Sequence, residues 1–388
     1  MQNSHSLLSR VVLLVLVVGL LTACAAPKGS APVQPAASPT SIALEAPQVS
    51  PTPASTAGFT VTDALNRQVT FKTAPQRIVF AGQASFMLAD AIYTFPEAAS
   101  RLVALGNTVQ WKNDFIPIVD PNLKGKPILD TQVGPEQIAA EHPDLVLLKS
   151  FLAERLGKPL EQLGIPVVYV QFETPAQYQR DIAVLGQIFQ NEQRARQVAA
   201  FFQQHVDRIQ QALSGLTQEQ KPRILLLYYT NKDGQVAFNV PPTGYIQTQL
   251  AEMAGAQPIW TDIQLGSGWT KVNFEQIAAW DPDQVFIIAY TSDAVEVVKK
   301  LEQDPQWQAL RATKDGKLYP FPMDIYSWDQ PDTRWILGLT WLAGRLHPDR
   351  FPDLDMKQEL FSFYKDLYRL DEKTVQEKIL PHLQGVQP

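Results

Sequence analysis

The chain has almost no cysteine. Of 388 residues only Cys24 carries a thiol, so no internal disulfide can form and no cysteine-based zinc site can be assembled. Histidine is nearly as scarce: His5 falls in the N-terminal stretch, and His142, His205, His347 and His382 are scattered over predicted helices or helix ends. Proteins that carry zinc or manganese converge several His and carboxylates on the ion, so a bare divalent metal is not the expected ligand. Basic residues are in slight deficit, 33 against 39 acidic ones for a formal net charge of −6, and they form no stripe. Nucleic acid is therefore not an expected partner. Also missing are His-Glu-x-x-His, Gly-x-Ser-x-Gly, a phosphate-cradling glycine loop and a Gly-rich dinucleotide fingerprint, so no enzyme and no cofactor is expected. Gly266-Ser267-Gly268 lacks a partner histidine in an interpretable context. Asp329 and Asp332, with Pro331 between them, read as a helix start before Trp335 rather than a catalytic pair.

What is present begins at the N-terminus. Arg10 precedes an unbroken apolar run, Val11 to Leu21, which leads into Leu21-Thr22-Ala23-Cys24. This is the order of an export signal, and the last four residues resemble a bacterial lipobox. Residues 1–23 are then a lipoprotein signal peptide and Cys24 the lipidated residue. The competing reading is an uncleaved helix, since about 17 residues without charge is the short end of what spans a bilayer. The small residues before Cys24 have no role in a plain anchor and favour lipidation. On either reading the rest lies outside the cytoplasm, and dual acylation would hold it firmly. Residues 24–58, rich in Ala, Pro, Ser and Thr without apolar periodicity, form a semi-extended tether.

The remaining body, about 330 residues, suffices for two domains. Phe59 to Thr62 and Gln68 to Phe71 read as a hairpin. Short apolar runs of buried-strand type follow at Arg77 to Ala81, Leu102 to Leu105, Leu145 to Leu148 and Val167 to Val170. Helical patterns alternate with them near Ser85 to Tyr93, Pro135 to Glu141 and Leu152 to Leu163, the order of a parallel α/β sheet. The second half repeats the scheme, with strands at Arg223 to Tyr229, Val236 to Asn239, Val285 to Tyr290 and Leu318 to Phe321. Between the halves, Pro175 to Phe189 and, after a break at Asn191, Glu192 to Leu213 keep apolar positions at helical spacing. The expected domains are an N-terminal α/β lobe over 59–174, a bridging helical segment over 175–214 and a C-terminal α/β lobe with terminal helices over 215–388.

The most informative feature is an internal repeat. Residues 136–144 read Glu-Gln-Ile-Ala-Ala-Glu-His-Pro-Asp and residues 275–283 read Glu-Gln-Ile-Ala-Ala-Trp-Asp-Pro-Asp, identical at seven of nine positions. Each runs into an apolar strand, so a helix, a Pro-Asp turn and a buried strand are used once per half. A duplicated lobe with a ligand cleft between the copies follows, because open α/β sheets bind ligands beyond their strand carboxyl ends.

With these units, the Val61-Thr62-Asp63 hairpin, Pro75-Gln76-Arg77-Ile78-Val79, Gly164-Ile165-Pro166-Val167 and Trp341-Leu342-Ala343…Leu346-His347-Pro348, the chain resembles the ABC-importer binding proteins for iron chelates, haem and cobalamin. The resemblance covers Phe59 to about Leu346. It implies two Rossmann-like lobes with central parallel sheets, joined by a single long α-helix, in a monomer that hands its solute to a permease dimer driven by a cytoplasmic ATPase. It also implies that a glutamate opening each repeat helix, here Glu136 and Glu275, pairs with permease arginines; a carboxylate also favours a helix N-terminus in its own right. Ligand-facing candidates just past strand ends are Gln83, Trp111 and Lys149 in the first lobe. In the second they are Tyr229, Phe238, Tyr245, Trp269, Tyr290 and Trp328. An aromatic-walled cleft suits a large, partly apolar metal chelate, and Lys149 offers charge balance for an anionic one. No arginine cluster stands out in these loops, which speaks against a highly anionic siderophore and leaves hydroxamate chelates, haem, cobalamin and oxyanions such as molybdate or tungstate open. A ligand-sensing lipoprotein and an extracytoplasmic enzyme are the rival classes.

Overall fold

The computed structural model describes residues 58–386; Cys24, the signal and nearly all of the tether lie outside the described residues. Strand β1 (Phe59–Thr62) pairs antiparallel with β2 (Gln68–Phe71), Phe59 stacking on Phe71. Buried Asp63 closes the turn, accepting the backbone N–H groups of Leu65 and Arg67 and the Arg67 guanidinium.

The first lobe is a parallel sheet of β3 (Ile78–Phe80), β4 (Leu102–Gly106), β5 (Ile128–Leu129), β6 (Leu145–Lys149) and β7 (Val167–Val170), in the order β5-β4-β3-β6-β7. Every residue of β3, β6 and β7 is buried, which explains why these strands read as unbroken apolar runs: helices cover both faces of a parallel sheet. Helix α1 (Ser85–Ile92) follows β3, and α2 (Pro135–Ala139) follows β5.

The bridging stretch divides in two. Helix α3 (Pro175–Phe189) ends where Gln190 turns left-handed at φ 54°, and α4 (Glu192–Ala212) starts with the Asn191 side chain accepting from Arg194 N–H. The pair folds back antiparallel: Tyr178 meets Phe202 at 4.6 Å between ring centroids and Gln179 bonds Gln203 at 3.0 Å. Only α4 makes the crossing, at about 31 Å for its length. Its start is tied to the first lobe by Asn191 to Glu97 and Arg194 to Thr94 O, and its end to the second by Arg350 to Ala212 O. The close helix packing depends on Gly186, where an added Cβ would stand 2.5 Å from the Ala195 methyl. Gly186→Ala should therefore lower stability by about 1–3 kcal/mol, reversing the gain of about 0.5–1 kcal/mol that alanine usually brings inside a helix. Urea denaturation reads the sign.

The second lobe orders β8 (Arg223–Lys232), β9 (Gln235–Val240), β10 (Gln257–Pro258), β11 (Thr270–Val272), β12 (Gln284–Ile288) and β13 (Leu318–Pro320) as β11-β9-β8-β12-β13, β10 pairing with the start of β8. β8 and β9 form an antiparallel hairpin; β10, β12 and β13 run parallel to β8. Helix α5 (Phe274–Trp280) carries the second copy of the repeat.

The repeat has a structural rationale at most of its positions. Ile138 and Ile277 are buried, and His142 and Asp281 occupy equivalent left-handed turns at φ 49° and 44°. Asp144 accepts Arg77 N–H at 2.9 Å and Asp283 accepts Arg223 N–H at 2.8 Å, each clamping the start of its lobe's central strand. The same arginines reach back, Arg77 to His142 O and Arg223 to Trp280 O, and fasten the end of the repeat.

Helices α6 (Trp335–Leu346) and α7 (Met356–Tyr368) complete the chain's core. The C-terminal helices, expected with the second lobe, also reach the first: Tyr368 Oη donates to Asp90 O, Arg369 reaches Tyr93 O and Thr94 O, and Arg194 of α4 reaches Leu367 O. Beneath them, fully buried Arg334 bonds Asp90 of the first lobe and Asp324 of the second, and one apolar core runs continuously through both.

Candidate functional site

A cavity of about 210 Å³ opens where the two sheets present their carboxyl ends. The first lobe contributes Ala84 and Met87, at the start of α1 just past β3, and Glu173, just past β7. The second contributes Tyr245, Ile246 and Gln247 after β9, Trp269 before β11 and Tyr290 after β12. Gln330 and Pro331 close the remaining side. Larger hollows, of about 480 and 840 Å³, are lined only by residues from Asp293 onward and do not join the lobes.

One wall is an aromatic cluster. Trp269 lies 5.1 Å from Tyr228, 6.3 Å from Tyr245 and 6.4 Å from Tyr290 between ring centroids, and Tyr228 lies 4.6 Å from Tyr290. The Tyr290 hydroxyl donates to Asp329 Oδ2, and burial beside that carboxylate raises the phenol well above its ordinary value, so it holds its proton. Burial likewise raises the Asp329 carboxyl, against which Ser327, Tyr290 and Gln247 all donate to it. On the opposite wall, buried Lys149 is ion-paired with Glu173 at 2.5 Å and donates to Gln171 O. Its burial depresses the ammonium pKa, and Glu173 opposes that.

Of the residues singled out in the sequence, Tyr245, Trp269 and Tyr290 meet at this cavity. Lys149 sits behind its wall, held by Glu173, instead of facing solute or solvent. Gln83 is exposed beside Ala84 and does not line the cavity. Trp111, 38% exposed at φ 55°, holds Lys112 over its ring at 4.6 Å outside the cavity, although neighbouring Gln110 bonds Gln330 of its lining. Tyr229 and Phe238 lie across the hairpin from one another and pack with Trp307 on the sheet's other face. The reason is strand parity: successive side chains alternate faces, so Tyr228, not Tyr229, joins the aromatic wall. Trp328 is a core residue, its indole donating to Asp324. Sequence reasoning missed Tyr228, Glu173, Met87 and Gln247. The alternation of β8 was the available signal for Tyr228; a glutamate two residues past a strand's first loop position and a glutamine opening a helix carried none.

Glu136 and Glu275 are both exposed in the first turns of α2 and α5, behind Gly134 and Asn273. Because α2 follows β5 and α5 follows β11, both helix starts stand at the carboxyl ends of their sheets, the end that bears the cavity. Neither carboxylate is engaged in an ion pair among the described residues, in contrast to the clamping Asp144 and Asp283 of the same repeat. No group of three or more His, Cys, Asp or Glu able to hold a metal occurs among the described residues, and no helix there is long and apolar enough to cross a membrane.

The molybdate-binding protein MolA of Haemophilus influenzae is 23% identical over 342 residues, covering 81% of this chain and 92% of its own. The Fe(3+) dicitrate-binding periplasmic protein FecB of Escherichia coli is 27% identical over 252 residues, 63% of this chain and 76% of its own. The crystal structure of a periplasmic solute binding protein from Veillonella parvula superposes with a TM-score of 0.67 at 24% identity, covering 84% of this chain and 97% of that one, and so shares the two-lobed fold. The periplasmic binding protein family model matches residues 119–324, from before α2 through β13 and so across both copies of the repeat. The chain belongs to the periplasmic binding protein family, the extracytoplasmic solute-binding subunits of ABC importers.

Proposed function

We propose that this protein captures a large, partly apolar metal chelate (an iron-siderophore complex, haem or a cobalamin) in the interlobe cavity and delivers it to its permease. The aromatic wall of Tyr245, Trp269 and Tyr290, with Tyr228 packed against it, carries the reading, because flat π-faces stack on extended ligands and have little to offer a compact oxyanion. Molybdate and Fe(3+) dicitrate, for which MolA and FecB are named, are both anions, and among the described residues the cavity is lined by no lysine, arginine or histidine to receive one. Its 210 Å³ is below the usual range of about 300–1,000 Å³ for ligand sites, so the lobes part somewhat on binding. Cys24 supports lipid attachment to the membrane face where the permease lies, and the docking contacts fall to Glu136 and Glu275.

The test is a thermal-shift panel of cyanocobalamin, haemin, ferrioxamine B, molybdate and tungstate, repeated with Trp269→Ala. A ligand at about 100 times its dissociation constant adds about 2.7 kcal/mol of stability. The expected result is a chelate among the hits, with affinity weakened about tenfold by Trp269→Ala, as the loss of about 1.4 kcal/mol of stacking requires. An oxyanion as sole hit, or a chelate indifferent to Trp269, would sink the reading.

A further inference from the structure

One buried hydrogen-bonding group of the cavity has no partner. Gln247, only 3% exposed, directs its Nε2 to Asp329 Oδ2 at 3.1 Å and to Tyr290 Oη at 3.3 Å, which fixes the orientation of its amide. Its Oε1 then finds no donor among the described residues, although the residue lines the cavity. A buried acceptor without a donor costs free energy comparable to a lost hydrogen bond, and a solute that supplies the donor recovers it. Of the other polar groups, the Trp269 indole N–H and the Tyr245 hydroxyl can donate without carrying charge, and the rest are engaged. The Tyr290 proton is committed to Asp329, and both ends of the Gln330 amide are engaged by Gln110. Glu173 can only accept, and its carboxylate, 45% exposed, already balances the charge of Lys149. The lining therefore offers one unpartnered buried acceptor, π-faces and the uncharged Trp269 and Tyr245 donors, and among the described residues it includes no lysine, arginine or histidine.

From this we infer that the cargo is a hydrogen-bond donor without net negative charge, an uncharged or cationic chelate bearing N–H or O–H groups that reach Gln247 Oε1. The inference rests on the cavity being the solute site, as proposed above. It also assigns a specificity role to the Lys149–Glu173 pair. Glu173 masks a buried ammonium that would otherwise draw anions, so the selectivity of the cleft against oxyanions and carboxylate-rich chelates resides in one carboxylate.

Isothermal titration of the full-length chain in detergent, at fixed ionic strength, compares ferrioxamine B (cationic) and cyanocobalamin (uncharged) with haemin, ferric dicitrate and molybdate (anionic). The wild type should bind a cationic or uncharged probe at least tenfold more tightly than any anion. Glu173→Gln, which leaves Lys149 unmasked, should narrow or reverse that ratio by tenfold or more. Gln247→Leu should weaken the preferred probe about tenfold while the apparent Tm of the ligand-free protein stays within a few degrees. An anion as the tightest wild-type ligand, an unchanged ratio in Glu173→Gln, or full affinity in Gln247→Leu would each overturn the inference. Tight anion binding that is still lost in Trp269→Ala would do so while leaving the cleft as the solute site, and silence from all five probes would overturn both.

Discussion

Replacing Arg334 with methionine should destabilise the protein by about 3–5 kcal/mol, the cost of removing one partner from a buried ionic cluster. Arg334 has no solvent exposure. It pairs with Asp90 in α1 and with Asp324 Oδ1 at 2.7 Å, donates to Tyr364 Oη at 3.1 Å and lies against the rings of Phe115 and Tyr326. Asp332, also fully buried, accepts Arg334 N–H. Asp90 and Asp324 thus share one guanidinium, and Asp332 stands beside it on the Arg334 backbone. Burial pushes Asp90 up to about 6 despite Arg334, and burial together with Asp90 pushes Asp332 well above the ordinary carboxylate range. A carboxyl whose folded pKa is raised contributes stability that is full below its unfolded value, about 4, and is lost as pH rises through the folded value. Asp332→Asn should therefore gain on the wild type as pH rises above about 4, by at most about 1.4 kcal/mol per unit. Arg334→Met should be better tolerated at pH 4 than at pH 7, where its orphaned carboxylates must ionise or hold protons against the bulk. Chemical denaturation across that range measures both. A pH-independent Arg334→Met penalty would refute the shared-charge account.

The cluster also bears on motion. It joins α1 to the second lobe, and Tyr326 Oη donates to Thr108 O while Gln110 bonds Gln330 across the same seam. The lobes are thus held by the α4 crossing, by this seam and by α7, which leans on α4 through Glu359 to His205 and Arg208. The parting of the lobes that admits a solute is accordingly a restrained adjustment, more restricted than one bridging helix alone would impose.

Strands and helices were legible because period and burial agree with them. The β1–β2 hairpin, β7, α3 and α5 lie where the pattern sets them, and the repeat marks the two lobes because Ile138, Ile277, Asp144 and Asp283 do the same work twice. The candidate site was legible only in part. Tyr245 and Tyr290 follow strand ends, a position the topology makes useful whatever the ligand, and Trp269 enters β11. Trp328 looked the same in sequence, but its loop folds inward to cap Arg334's cluster, a tertiary contact that no local pattern encodes. The antiparallel return of α3 on α4 was hidden for a similar reason: amphipathic spacing reveals a buried face without saying which partner covers it. The Lys149–Glu173 pair spans 24 positions and two strand ends, so its masking depends on β6 and β7 being neighbours.

Charge reversal at both proposed docking positions, Glu136→Lys with Glu275→Lys, should reduce solute uptake by at least about a hundredfold while leaving solute affinity within about twofold. The repeat makes the argument. Its other identical residues are accounted for by folding: Ile138 and Ile277 fill the core, the aspartates clamp the central strands, and Gln137 accepts Gly134 N–H to cap α2. The glutamates stand exposed with no hydrogen-bond or ion-pair partner for their carboxylates among the described residues, at matching helix starts on the end that bears the cavity. A carboxylate there gains about 0.3–1 kcal/mol from the helix dipole, so reversal costs little stability. Opposite permease cations it replaces attraction by repulsion, worth several kcal/mol in mispairing, and about 2.7 kcal/mol already amounts to a hundredfold. Glu372→Lys with Glu377→Lys, two exposed glutamates near the C-terminus, makes the same change in net charge and should transport normally. Uptake by cells carrying each variant, set beside titration of the purified proteins, separates docking from capture. Normal transport by the Glu136/Glu275 double variant would leave these residues as helix-start carboxylates only, whereas equal loss in the Glu372/Glu377 control would assign the effect to overall charge.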